Sequence, residues 1–107
     1  MAERILEFEV NKQKLRKKRG CDFSYIVANS VGYLRAKFYF SSEWDGCVKI
    51  ASFWKGDQEH AVPLDKNDSC YVHPEVLGEE TFQVSVTCAR PGYKIESTKT
   101  RVKQEVG

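Results

Sequence analysis

Along most of this chain apolar and polar residues alternate with a period of two, and no stretch carries an apolar position every three to four residues. That pattern predicts a series of short β-strands and little helix. Leu6, Phe8 and Val10 alternate with Glu7 and Glu9, giving a first strand with one apolar face. Residues 11–20 read as a basic connection or edge strand closed by Gly20, and Phe23, Tyr25 and Val27 predict a strand ending at the turn-prone Asn29-Ser30. The clearest element is Tyr33 to Phe40, where Leu34, Ala36, Phe38 and Phe40 take one face and Tyr33, Arg35, Lys37 and Tyr39 the other. Such a segment is a half-buried antiparallel strand.

Ser41 to Gly46 is a tight connection, with Asp45-Gly46 for the turn and Trp44 placed to plug one end of a core. Cys47 to Trp54 has little polarity on either face and predicts a central strand, followed by a hairpin loop at Lys55-Gly56-Asp57. Glu59 to Leu64 contains Pro63, which lacks an amide donor and belongs at a sheet edge or bulge. After the polar turn 65–68 come a short strand from Ser69 to Val72 and a single helical turn between His73 and Gly78, the one helix the sequence predicts. Thr81 to Cys88 alternates Phe82, Val84 and Val86 against Gln83, Ser85 and Thr87. Arg90-Pro91-Gly92 turns the chain, and the last strand material runs from Tyr93 through Val102 and frays by Gly107. The expected fold is an all-β, antiparallel β-sandwich of seven or eight strands with an immunoglobulin-like outline, in one domain spanning 1–107.

The length of 107 residues fits one domain, and 41% apolar with 30% charged side chains is a globular balance. No run approaches the ~18 apolar residues of a membrane span. The acidic start, Glu3 and Glu7 around Arg4-Ile5-Leu6, does not resemble a secretion signal, so the expected location is a cytoplasm, left if at all by lysis. Four cysteines, Cys21, Cys47, Cys70 and Cys88, form no Cys-x-x-Cys pair. Two disulfides are open to an even count, but a reducing cytosol predicts free thiols acting as small apolar fillers. Of 17 basic residues, six (Lys12, Lys14, Arg16, Lys17, Lys18 and Arg19) fall within eight positions, leaving eleven basic against fifteen acidic side chains elsewhere. This layout is either a charged edge strand protected from aggregation or a patch that steers the chain toward nucleic acid or an acidic protein surface.

Catalytic patterns are not evident. The two histidines, His60 and His73, stand in no nucleophile or base motif, and the carboxylate pairs Glu43/Asp45, Asp65/Asp68 and Glu79/Glu80 lie in turn-like segments that acids ordinarily solvate. No phosphate-cradling glycine loop occurs. Cys70-Tyr71-Val72-His73 has the gap of a zinc-ligand pair, yet a structural zinc needs four ligands and no second pair follows by spacing, so Cys70 and His73 remain weak metal candidates. No cofactor is expected. The candidate partner-binding set is the basic run 12–19 together with Tyr33, Arg35, Lys37 and Tyr39, an aromatic-basic strand face that equally suits a subunit contact or covers the sandwich.

An ordered set of motifs adds to this reading. The aromatic strand leading into Glu43-Trp44-Asp45-Gly46, then Phe53-Trp54-Lys55-Gly56, Val62-Pro63-Leu64-Asp65, Cys70 to Leu77, and Phe82 to Val86 resembles a small β-sandwich module. That module is found in tail-fibre, head-fibre and upper-baseplate proteins of bacteriophages and prophages of Gram-positive bacteria. The resemblance covers the chain from about Ile5 to Val106 and implies a non-catalytic virion attachment or decoration module that binds protein, as a homo-oligomer in the family's usual arrangement. Two features depart from the family pattern: the chain stops where a coiled coil or receptor-binding region usually follows, and the 12–19 run is more basic than usual. Two other readings are open: a phage-encoded inhibitor of a bacterial defence nuclease, of the anti-CRISPR kind, and a nucleic-acid-binding β-domain.

Overall fold

The computed structural model describes residues 3–106. It is all-β, with strands β1 (Arg4–Asn11), β2 (Lys14–Lys17), β3 (Leu34–Phe40), β4 (Val48–Lys55), β5 (Gln58–Pro63), β6 (Ser69–Tyr71), β7 (Thr81–Arg90), β8 (Tyr93–Glu96) and β9 (Thr100–Lys103). They form two sheets, one in the order β2-β1-β3-β6 and one in the order β5-β4-β7-β8, with β9 also on β7. This is the expected sandwich, with nine strands in place of seven or eight. One pairing, β1 with β3, is parallel, so the smaller sheet is mixed. The β1–β2 hairpin turns the chain back, and the long segment 18–33 carries it to the other side of β1, where β3 starts beside Arg4 and runs parallel to it.

Alternation places the core. Leu6, Phe8 and Val10 from β1, Leu34, Ala36 and Phe38 from β3, Ala51 and Phe53 from β4, and Phe82, Val84 and Val86 from β7 are all buried between the sheets. Phe8 stacks on Phe38 at 5.3 Å, and Phe40 meets Trp44 at 5.2 Å. Trp44 is the expected plug: it is fully buried in a 3₁₀ turn (Ser42–Trp44), and its Nε1 donates to the Lys12 carbonyl at 2.7 Å. A second 3₁₀ turn, Pro74–Val76, stands where the helical turn was expected. Pro63 lies on the edge strand β5, and β4 lies between β5 and β7, both as the sequence predicts. The fraying expected at Gly107 lies outside the described residues.

Two expectations fail. No strand spans Phe23 to Val27; the segment makes one isolated bridge, Val27 to Glu105, and the burial is inverted, with Ile26 inside and Tyr25 and Val27 exposed. Tyr25 and Asn29 adopt φ of +54° and +68°, which no strand accommodates. Asp22 folds the chain by accepting from the Ser24 amide, and the Arg4 guanidinium gathers the carbonyls of Asp22, Ser24 and Tyr25 at 2.9, 2.6 and 3.1 Å. The cysteines are not all free: Cys47 and Cys88 form a disulfide, with Cα atoms 5.7 Å apart, while Cys21 and Cys70 remain thiols. Cys47 precedes β4 and lies diagonally across the β4–β7 ladder from Cys88, a proximity set by strand register and hidden in a sequence separation of 41.

The last two strands act as one strand with a break. β8 pairs with residues 87–90 of β7 and β9 with residues 81–84. Between them Ser97 still bonds Val86 of β7, and Thr98-Lys99 leaves the ladder and reaches the edge strand of the other sheet. The Thr98 hydroxyl accepts from the Leu15 amide at 3.1 Å, and the Thr100 hydroxyl donates to the Leu15 carbonyl at 2.6 Å. The break thus covers an edge that would otherwise invite pairing with another chain.

Candidate functional site

Register sorts the candidate residues. On the outer face of the four-stranded sheet, Arg16, Glu9 and Tyr39 form one row, Glu7, Lys37 and Ser69 a second, and Ile5, Arg35 and Tyr71 a third. Alternation puts them outside because Leu6, Phe8 and Val10, and Leu34, Ala36 and Phe38, point in.

Opposite charges meet within and between these rows. Arg16 Nε lies 3.4 Å from Glu9 Oε1. Tyr39 donates its hydroxyl to Glu7 Oε2 at 2.5 Å, and this bond to a carboxylate holds the phenol above its ordinary pKa. The ammonium groups of Lys18 and Lys37 lie 5.3 and 5.4 Å from the Tyr39 ring centroid, and Lys37 also donates to the Asn67 carbonyl. Arg35 bonds Asp65 Oδ2 at 2.9 Å and Ser69 Oγ at 2.8 Å while its guanidinium covers the Tyr71 ring at 4.5 Å. Asp65 is held below the ordinary carboxylate range, first by the Ser69 amide and then by the Asn67 amide, the Ser69 hydroxyl and Arg35.

Of the ten candidate partner-binding residues, Arg16, Lys18, Arg35, Lys37 and Tyr39 come together here, with Lys14 in line with Arg16 on β2. Lys17 faces the other way, its ammonium 5.2 Å from the Phe23 ring. Lys12 occupies the β1–β2 turn at φ +57°, donating its amide to Ser41 Oγ at 2.8 Å and offering its carbonyl to Trp44. Arg19 joins Glu9, Arg16 and Lys17 around a shallow cleft, and Tyr33 stands half-exposed where β3 begins. The basic run therefore does not form one patch. Glu7, Glu9, Ile5 and Tyr71 belong to the face as well; period-two alternation already put Glu7 and Glu9 outside, whereas the place of Tyr71 depends on the β3–β6 register.

The weak metal pair separates. Cys70 points into the core, where burial pushes its thiol up to about 12, leaving it protonated and a poor ligand. His73 accepts from the Glu75 amide through Nδ1 at 3.1 Å, and its ring stacks on His60 at 4.7 Å. Among the described residues no three His, Cys, Asp or Glu side chains converge on a metal position, and no helix is long and apolar enough to cross a membrane.

No known protein family's profile matches the sequence, and no curated protein matches it. Among solved structures the fold is similar to the N-terminal domain of phage TP901-1 ORF48, with 11% sequence identity, a TM-score of 0.50, and coverage of 99% of this chain and 98% of that one. The likeness is one of fold: a β-sandwich of this outline is shared, over nearly the full length of both chains, with a domain of a phage protein.

Proposed function

We propose that this chain is a non-catalytic structural module of a bacteriophage or prophage virion, attaching by protein–protein contact through the outer face of its four-stranded sheet. The observation that carries the reading is the composition of that face. Arg16 and Arg35 pair with Glu9 and Asp65, Glu7 accepts the Tyr39 hydroxyl, and among them stand the half-exposed rings of Tyr39 and Tyr71. A surface of ion-paired arginines and exposed tyrosines suits a protein partner. At one end of the sheet Ile5 and Tyr33 extend the same surface. The fold shared with the phage TP901-1 ORF48 domain supports the same reading. Fibre or baseplate attachment, or decoration, in a virion or in the host cytoplasm where it assembles, is the specific role proposed.

Light scattering coupled to size-exclusion chromatography at low and high salt tests it. The expected result is a discrete, salt-resistant oligomer that dissociates when Tyr39 and Tyr71 are both changed to alanine. A monomer at every salt concentration removes self-assembly and favours an inhibitor that meets a defence enzyme one to one.

A further inference from the structure

On the opposite side of the molecule, the five-stranded sheet has an outer face of another kind. Ser52 and Ser85, paired across β4 and β7, point outward, yet they are 2% and 7% exposed. What covers them is polar and aromatic. Trp54 donates its Nε1 to Ser85 Oγ at 2.9 Å, Ser52 donates to Glu59, and the Lys99 ammonium lies 3.6 Å from the Trp54 ring centroid. Trp54 lines two clefts. One, of about 190 Å³, is shared with Glu59, Ser85, Thr87 and Glu96; the other, of about 440 Å³, is shared with Asp57, Gln83 and Arg101.

We propose that these clefts form a saccharide-binding groove with Trp54 as its stacking platform. An indole offers a flat apolar face to the C–H side of a sugar ring, while carboxylates, hydroxyls and an amide meet its hydroxyl groups, which both donate and accept. Glu59, Thr87, Glu96 and Gln83 supply that set around one ring. The groove does not suit the other extended ligands. β4 and β7, the strands beneath the ring, are paired on both sides, so a peptide strand finds no free backbone edge within the groove. Asp57, Glu59 and Glu96 outnumber Lys99 and Arg101, so a phosphate chain gains no basic surplus. Lys99 is the movable part. It is exposed on the break between β8 and β9, and its alternate neighbours Thr98 and Thr100 hold the backbone to β2 while its side chain lies on the indole. A sugar stacking on that face displaces one flexible side chain and no backbone. This site lies on a different sheet from the proposed docking face and does not rest on it.

The test is a titration with maltose, cellobiose, N,N′-diacetylchitobiose and methyl α-rhamnoside, followed by tryptophan fluorescence and by amide NMR shifts. Trp44 is fully buried, so an emission change reports Trp54. At least one saccharide is expected to give a saturable change at millimolar concentration, with shifts confined to β4, β5, β7 and residues 96–101. Trp54→Ala should weaken binding at least roughly tenfold, with Trp44 emission and the NMR dispersion reporting its fold. Thr87→Val, which leaves the indole in place, should weaken it several-fold. Lys99→Ala should tighten it about two- to five-fold by uncovering the ring. The proposal is overturned by no saturable response to any of the four up to tens of millimolar, by shifts that survive Trp54→Ala, by weaker binding in Lys99→Ala, or by a stronger response to decathymidylate or a lysine-rich peptide than to any sugar.

Discussion

The outer face of the four-stranded sheet displays its charges in the open, with Arg16 and Arg35 paired to Glu9 and Asp65, whereas that of the five-stranded sheet buries two serines under an indole, a carboxylate and a lysine. Both faces alternate against the same core, so strand periodicity does not produce the difference. It comes from side-chain length on the central strands. Glu7 reaches Tyr39 on the adjacent strand, and Arg35 and Lys37 reach Asp65 and Asn67 in the turn before β6, while Ser52 and Ser85 are too short to reach solvent once Trp54 lies across them. Long charged residues make a surface that another protein meets; short residues beneath one large ring leave hollows at its sides. The two ends of the sandwich differ in the same way. A covalent bond fastens the start of β4 to β7, and a guanidinium fastens the loop 18–33 to β1.

The largest effect should follow from cutting the covalent fastening. Closing a loop between residues 41 apart restricts the unfolded chain by about 4 kcal/mol in the entropic account. Reduction, or Cys47→Ala with Cys88→Ala, is expected to lower stability by about that amount, read from urea unfolding with and without reductant. Hydrogen exchange should then rise first at the start of β4 and the end of β7, with β1 and β3 still protected. Equal stability in both redox states would mean that the two cysteines act as packed thiols.

Second in size is the guanidinium. Arg4→Ala removes three bonds to carbonyls from the loop, an expected loss of about 2 kcal/mol from charge-assisted bonds that are partly exposed. Exchange should increase over residues 22–31 while the five-stranded sheet is unchanged. Uniform loosening of both sheets would show that Arg4 supports the whole sandwich and not this loop alone.

Loop 18–33 also marks where sequence reading stops. Alternation located β1, β3 and β7 because each buries one face, low polarity on both faces located β4, and Pro63 located an edge because proline lacks a donor. The same alternation misassigned Phe23 to Val27. Period two describes a segment held by a ladder, and this one is held by Arg4, Asp22 and the single buried side chain Ile26. For the candidate face, Arg35, Lys37 and Tyr39 were legible because they share a strand. Tyr71 and the Glu59–Trp54–Lys99 cluster were not, because their members meet only through register and through the break between β8 and β9. The disulfide was hidden for the same reason.

A third substitution acts on the covered face alone. Ser85→Ala leaves the Trp54 Nε1 without its acceptor at a half-buried position, which should cost about 1 kcal/mol. It should also make Trp54 emission more solvent-sensitive, measured by acrylamide quenching, while Trp44 stays protected. Unchanged quenching would mean that Lys99 and packing hold the ring without the serine.

The smallest effect, on the open face, depends on pH. Asp65 is ionised more readily in the folded protein than in the unfolded chain because the Ser69 amide, and after it the Asn67 amide, the Ser69 hydroxyl and Arg35, bond or attract its charged form. A carboxyl whose folded pKa is depressed contributes stability that is fully present above its unfolded pKa of about 3.9 and is lost as pH falls through the folded value. Asp65→Asn should therefore lower the urea midpoint at pH 7 and by less at pH 3, which is below the unfolded pKa and where part of that contribution has been lost. Because Arg35 also covers the Tyr71 ring, the same variant should loosen that ring at neutral pH, visible as averaged ring resonances in NMR. An equal loss at both pH values would mean that the 65–69 turn is held by the shape of its backbone, and that the ordered charge on this face starts with Arg35 and Tyr71, not with Asp65.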